Sequence, residues 1–594
     1  MGFRWYPRGL GVFGAPLAFP EQIPSVFAPG ILICYKRLPK NIKREEPMKR
    51  WMPIIALGLL VAGCNSKGAP TENAVKPTGG EAYDKAEGAS GGIQVSANMA
   101  EPMDAPRGQE MPARERRPMP KSLAPMVKGK AAPMVPLEAA PPADGSAEEF
   151  TDYGVNPWTD TAVDAMSTFA IDVDTGSYTI ARRKIMEGQL PPKESVRVEE
   201  FVNYFRYDYP NPESTFAVHL EGAPSPFSTE PNRYLVRVGV QGKRLEAKER
   251  KPIHLTFLVD VSGSMNSEDK LPLAVKALKI LTNNLKPKDT VAIVTYAGNT
   301  AKVLDPTGAE NRGAIFEALE SLGAGGGTGM DDGMKAAYEL AMKQKHGGET
   351  SRVIVLSDGD ANIGRSSHEE ILKQIEAYVS EGVTMSTIGL GNGNYKDTMM
   401  EQLANKGNGN YYYIDSIEEA RKVFGDQLDG TLQVIAKDVK LQVEFDPKKV
   451  KRYRLIGYEN RDIADKDFRN DKVDAGELGA GHTVTALYEL ELAGAPEEAM
   501  GTVRVRHKTP DAFKATEDAF PLNASHFQTK LGSASNDFQF AASVAAFAEL
   551  LRGSPHVKGV NYAWVLEIAT GASSPNQVDR QQFLALVKKA QTLK

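Results

Sequence analysis

Leu255-Thr256-Phe257-Leu258-Val259-Asp260-Val261-Ser262-Gly263-Ser264 decides how this chain reads. An apolar run over 255–259 stops at an aspartate, and two serines follow with single residues between them. A strand with one wet face alternates apolar and polar residues, whereas an unbroken apolar run fits a strand covered on both faces, as in parallel sheets. The rhythm continues outward from it. Helical spacing covers 270–285, 314–322, 334–342, 369–379 and 417–428, and short apolar runs cover 290–296, 353–356, 383–390 and 411–414. Strands alternating with helices of this length predict a doubly wound, mostly parallel α/β sheet with helices on both faces over 251–430.

Oxygen-bearing side chains gather where the predicted strands end. Asp260, Ser262 and Ser264 follow the first strand, Thr328 sits in the loop Gly325-Gly326-Gly327-Thr328-Gly329, and Asp358 closes the strand at 353–356, just before Gly359. In open α/β sheets, ligands bind outside the carboxyl ends of the strands at the topological switch point. Two carboxylates and three hydroxyls suit a hard divalent cation, Mg²⁺ or else Mn²⁺ or Ca²⁺, which takes about six oxygens. Because the hydroxyls are neutral, the ion stays electrophilic and can accept one more anionic oxygen, from a Glu or Asp of a protein partner. The glycines let the backbone turn tightly without blocking approach.

Asp-x-Ser-x-Ser, a distant Thr and an Asp-Gly after a buried strand, in that order in one α/β block, resemble the metal-ion-dependent adhesion site of von Willebrand factor type A domains. The resemblance implies a Rossmann-like fold and a binding module rather than an enzyme. It implies that Ser262 and Ser264 ligate the metal directly, and Thr328 directly or through water. Asp260 and Asp358 would ligate it or anchor it through water. Asp331, Asp332, Asp360 and Asn362 lie near the site in sequence and read as helix-start and loop residues rather than a second cation site.

Both flanks of the α/β block change rhythm. Strand-like alternation occurs at 216–220 and 234–240 before it, and strands are predicted at 434–445, 453–458, 483–492 and 503–505 after it. Neither flank has enough strands for a closed core, so the α/β unit is expected to be inserted between β-rich segments that share one core. The leading domain, 151–250, also reads as a strand at 169–173 and helices at 177–187 and 194–207. The trailing domain, 431–594, ends in helices at 538–551 and 581–593. Trp158, Asp172-Val173-Asp174 and the helix around Phe201, together with 538–551, resemble the segments flanking the domain in bacterial von Willebrand factor A lipoproteins.

The start of the chain reads as address rather than fold. Met48-Lys49-Arg50-Trp51, an apolar run over 53–62 and Gly63-Cys64 have the order of a secretory signal, too short for a permanent span. Val61-Ala62-Gly63-Cys64 resembles a bacterial lipobox, which implies a signal peptide at 48–63, lipid on Cys64 and membrane attachment through that anchor. Residues 1–47 are then expected to be an over-extended start. The same resemblance implies, from Asn65 rather than Asp after the cysteine, the outer membrane of a bacterial cell envelope. The Pro-, Ala- and Gly-rich stretch at 64–150 reads as a disordered tether.

Composition narrows the alternatives. The chain of 594 residues has 71 basic and 76 acidic side chains and no long basic block, which argues against nucleic acid. Cys34 and Cys64 alone make neither a disulfide framework nor a cysteine zinc site. Asp174-Thr175-Gly176-Ser177 matches the tetrapeptide of aspartic proteases, but a single-chain enzyme of that kind needs two such loops and the chain has one. The remaining alternative to a metal-dependent binder is a structural lipoprotein whose metal holds its own loops.

Overall fold

The computed structural model describes residues 148–594, apart from 247, 328, 360–367, 511 and 513. Ahead of the α/β unit lie β1 (Thr159–Asp160), β2 (Met166–Ala170), helix α1 (Gly176–Met186), helix α2 (Val198–Asn203), β3 (Phe216–Pro224) and β4 (Arg233–Gly242). Helix α2 is shorter than its apolar spacing predicts. A 3₁₀ turn at Lys193–Ser195 precedes it, and Arg197 between them is extended, at φ −100° and ψ 112°. Strand β2 ends three residues earlier than predicted, because Asp172 turns the chain by accepting the Asp174 N–H at 2.9 Å.

The α/β unit comprises β5 (Ile253–Asp260), α3 (Leu271–Asn284), β6 (Thr290–Tyr296), β7 (Thr300–Gly308), α4 (Arg312–Glu320), α5 (Met330–Lys343), β8 (Thr350–Ser357), α6 (His368–Ser380), β9 (Val383–Leu390), α7 (Asp397–Lys406) and β10 (Tyr411–Ile414). Its last helix, predicted as one piece, is α8 (Ile417–Arg421), a π turn at Lys422–Asp426 and α9 (Leu428–Leu432). The sheet order is β10-β9-β8-β5-β6-β7, parallel throughout except for β7, which runs antiparallel to β6. Alternate residues of β5 point to opposite faces. Leu255, Phe257 and Val259 join Ile293, Ile354, Leu356 and the α3 leucines on one side, while Leu258 joins Val294, Val355, Tyr338 and Met334 on the other. That two-sided burial is why the run is apolar without alternation.

After the unit, β11 (Val434–Phe445), β12 (Val450–Ile456), β13 (Gly476–Gly479), β14 (Thr483–Leu492), β15 (Gly501–Lys508) and β16 (Thr516–Leu522) pair with the leading strands. One antiparallel sheet has the order β1-β12-β14-β4-β3. In the other, β11 has β15 on one side, with β16 beyond, and β13 and β2 on the other. Phe169, Val236, Val238 and Val240 of the leading segment share one core with Leu441, Val443, Tyr488, Leu490 and Val503 of the trailing one. Helices α10 (Asn536–Leu551), α11 (Tyr562–Gly571) and α12 (Val578–Thr592) pack with α1 and α2 around Phe201, Phe205, Phe540, Phe547 and Phe583. The alanine-rich stretch of α10 is core: Ala541, Ala542, Ala545, Ala546 and Ala548 are all fully buried.

Candidate metal centre

The order of the parallel strands reverses beside β5, which has β8 on one side and β6 on the other. A crevice opens at such a point because the connections leave the sheet in opposite directions. Asp260 is the last residue of β5 and Asp358 follows the last residue of β8, and both are fully buried. Past Asp260, the Val261 N–H donates to the Tyr296 carbonyl at 3.0 Å, and a 3₁₀ turn at Gly263–Asn266 reverses the chain. The Gly-rich loop closes over this turn: the Gly263 N–H donates to the Gly326 carbonyl at 3.1 Å, and the Gly325 N–H to the Val261 carbonyl at 2.8 Å. Gly326 has φ +87°, the left-handed conformation that glycine adopts without strain.

Asp260 is bound on both oxygens. Its Oδ1 accepts the Ser262 N–H at 2.9 Å, and its Oδ2 accepts the hydroxyls of Ser357 at 2.9 Å and Tyr296 at 3.2 Å. Burial raises the Asp260 carboxyl above its usual range, its hydrogen bonds with Ser262 oppose that, and the charge of Asp358 adds to the rise. The hydroxyls of Ser262 and Ser264 are hydrogen-bonded to each other, with their oxygens 3.0 Å apart. Two oxygens at right angles around an ion, each at roughly 2.1 Å, would be about 3.0 Å apart. The pair therefore has the spacing of adjacent ligands on a small octahedral cation, and two buried carboxylates at neighbouring strand ends supply compensating charge. The donor set fits a hard divalent ion.

The structure thus brings together Asp260, Ser262, Ser264 and Asp358. Thr328 and Cys64 lie outside the described residues, as do Asp360 and Asn362. Asp331 and Asp332 stand in the first turn of α5, where carboxylates favour the helix dipole. Sequence reasoning misses four groups that hold the site. Tyr296 and Ser357 anchor Asp260, and Lys270 and Asn394 meet Asp358. The Lys270 Nζ donates to Asp358 Oδ2 at 2.9 Å and to Asn394 Oδ1 at 3.0 Å. A lysine at the start of α3 opposes the helix dipole, a mismatch that is the one sequence signal by which it could have been found.

The rival tetrapeptide has a different use. Asp174 Oδ1 accepts the Tyr411 N–H of β10 and its Oδ2 accepts the Arg461 guanidinium, both at 2.7 Å. It clasps the α/β sheet to both flanking segments.

Three family models match successive segments of the chain. The family model described as "von Willebrand factor" matches residues 144–237, "von Willebrand factor type A domain" matches 254–426, and "Uncharacterized protein YfbK, C-terminal" matches 430–593. "Uncharacterized protein YfbK" of Escherichia coli (strain K12) is 37% identical over 452 residues, 71% of this chain and 77% of its own length. Inter-alpha-trypsin inhibitor heavy chain H3 of Homo sapiens is 25% identical over 263 residues, 41% of this chain and 29% of its own. Among solved structures, a von Willebrand factor type A protein from Catenulispora acidiphila aligns with a TM-score of 0.39 at 16% identity, covering 62% of this chain and 88% of its own.

Proposed function

The chain belongs to the YfbK family of von Willebrand factor type A proteins, and from that premise we propose that it binds a protein partner through a divalent cation held by Asp260, Ser262, Ser264, Thr328 and Asp358. The observation that carries the reading is the Ser262–Ser264 hydroxyl pair, spaced at 3.0 Å beside two buried carboxylates at adjacent strand ends. Mg²⁺, Mn²⁺ or Ca²⁺ there would present a Lewis-acidic position to an incoming carboxylate. The serines and Asp260 hold the position, and an Asp or Glu of the partner completes coordination and charge. The protein acts by binding rather than catalysis in this reading.

A second reading draws on Asp260. Its oxygens already tie Ser262, Tyr296 and Ser357 together, so a cation could serve to brace these loops alone. Calorimetric titration with Mn²⁺, paired with partner capture from envelope extracts, separates the two. Wild type should bind the ion and capture a partner that chelator releases, and Ser262→Ala should lose both while staying folded. Equal capture by both proteins, with and without chelator, would leave only the bracing role.

We further propose that the folded body is anchored to the outer membrane of the bacterial envelope through lipid on Cys64, a reading supported by the lipobox-like Val61-Ala62-Gly63-Cys64. Cys64→Ser should move the protein from the membrane fraction to the soluble one. A variant that still sediments with membranes after a salt wash sinks the anchor.

A further inference from the structure

Lys270 is a charged residue built into the candidate site by the fold. It is 6% exposed, and its ammonium is held between Asp358 Oδ2 and Asn394 Oδ1. Its stem runs over Gly391, which has φ +74°. A Cβ there would come within 2.4 Å of both Cγ and Cε of the lysine, so glycine is what admits the side chain. The loop that carries Gly391 and Asn394 is itself fastened. The Gly393 N–H donates to Glu148 Oε1 at 3.1 Å, and the Tyr413 hydroxyl donates to the Gly391 carbonyl. Burying an ammonium is unfavourable unless it is paired, and here two elements converge to pair it with a residue of the ligand set.

Resting on the metal-binding reading above, we propose that Lys270 sets the charge of the loaded site: it lowers the affinity for the cation and leaves the bound cation under-neutralised, so that the site favours an anionic ligand. A carboxylate already bound to an ammonium offers a cation less negative potential than a bare one. With Asp260 and Asp358 alone, two negative charges would cancel a divalent ion. With Lys270 between Asp358 and Asn394, one positive charge is left over within that set, and an incoming carboxylate neutralises it. Among the neighbouring acidic residues, Asp269 accepts the Ser267 hydroxyl in an exposed turn, Glu268 is exposed, and of the pair that opens α5, Asp332 is exposed and Asp331 half-buried.

The experiment uses the purified folded chain with Mn²⁺ and acetate as probes. Mn²⁺ affinity is measured by calorimetry, and acetate binding by its effect on water-proton relaxation at bound Mn²⁺. Lys270→Gln and Lys270→Met, either of which suffices if the other fails to fold, should bind Mn²⁺ at least tenfold more tightly than wild type. They should also bind acetate several-fold more weakly. Lys276→Gln, an exposed change on the same helix, should alter neither by more than twofold. Unchanged or weaker Mn²⁺ binding in the Lys270 variants, with Ser262→Ala still abolishing it, overturns the role of Lys270 alone. Tighter Mn²⁺ with unchanged acetate overturns the anion preference. Wild type that binds no Mn²⁺ overturns this inference together with the reading beneath it.

Discussion

The α/β unit and the β sandwich around it are both layered sheets, yet they are assembled from sequence in opposite ways. Every strand of the α/β sheet lies within 253–414, and β5, β8 and β9 are joined through helices that cover the same sheet. In the sandwich, Lys440 of β11 faces Ala170 of β2, and Val484 of β14 faces Val240 of β4. These partners lie on opposite sides of the inserted unit. The first arrangement can be completed from its own segment, and the second cannot. Closeness in sequence therefore predicts partnership in one half of the molecule and misleads in the other.

Cutting the chain tests this difference most severely. A fragment of residues 252–433 should give a folded domain with a cooperative thermal transition. A fragment of 434–594 should not, because it lacks β2, β3 and β4 and leaves one side of β14 and the apolar face of α10 uncovered. Circular dichroism and amide dispersion read both outcomes, and a well-folded 434–594 fragment breaks the comparison.

A smaller effect sharpens it at the seam. Glu199 of α2 is buried, with Oε2 accepting the Tyr458 N–H at 2.9 Å and Oε1 without a hydrogen-bond partner among the described residues. Burial, then the charges of Glu459, Asp172 and Glu200, push its carboxyl up to about 8. A folded-state value raised above the unfolded one means stability that is full below about pH 4.5 and is lost as pH rises through about 8. Glu199→Gln should keep that stability, on the order of 4 to 5 kcal/mol at pH 8.5 for a carboxyl moved from about 4.5 to about 8, and change little at pH 5. Urea midpoints of both proteins at the two pH values check this. Equal losses between pH 5 and 8.5 would show that Glu199 does not carry the dependence.

Much of the architecture is legible in the sequence where a strand is buried on both faces or alternates cleanly. The stretches at 290–296, 383–390, 411–414, 434–445 and 483–492 coincide with β6, β9, β10, β11 and β14. Strand β7 escapes notice because it is an edge strand, paired on one side only, with Lys302, Asp305 and Pro306 facing a wet environment. Helices α7 and α11 and strand β16 are missed as well. In the candidate site, spacing reveals the residues that share short motifs, Asp260, Ser262 and Ser264, and the strand end at Asp358. It does not reveal Lys270 and Asn394, which become neighbours only when the turn after β5 meets the loop after β9.

The ends of the inserted unit are bonded to each other. The Lys251 N–H donates to Gln433 Oε1 at 3.3 Å, and the Gln433 amide donates back to the Lys251 carbonyl at 3.4 Å, across 182 residues of chain. If the flanking strands had to find one another through an open loop of that length, the length-dependent closure entropy would oppose them by about 4–5 kcal/mol. Once the α/β unit has formed, its two ends already lie side by side, and most of that opposition is gone. The insertion thus favours an order of events in which the α/β sheet forms first and brings together the strands whose pairing completes the sandwich.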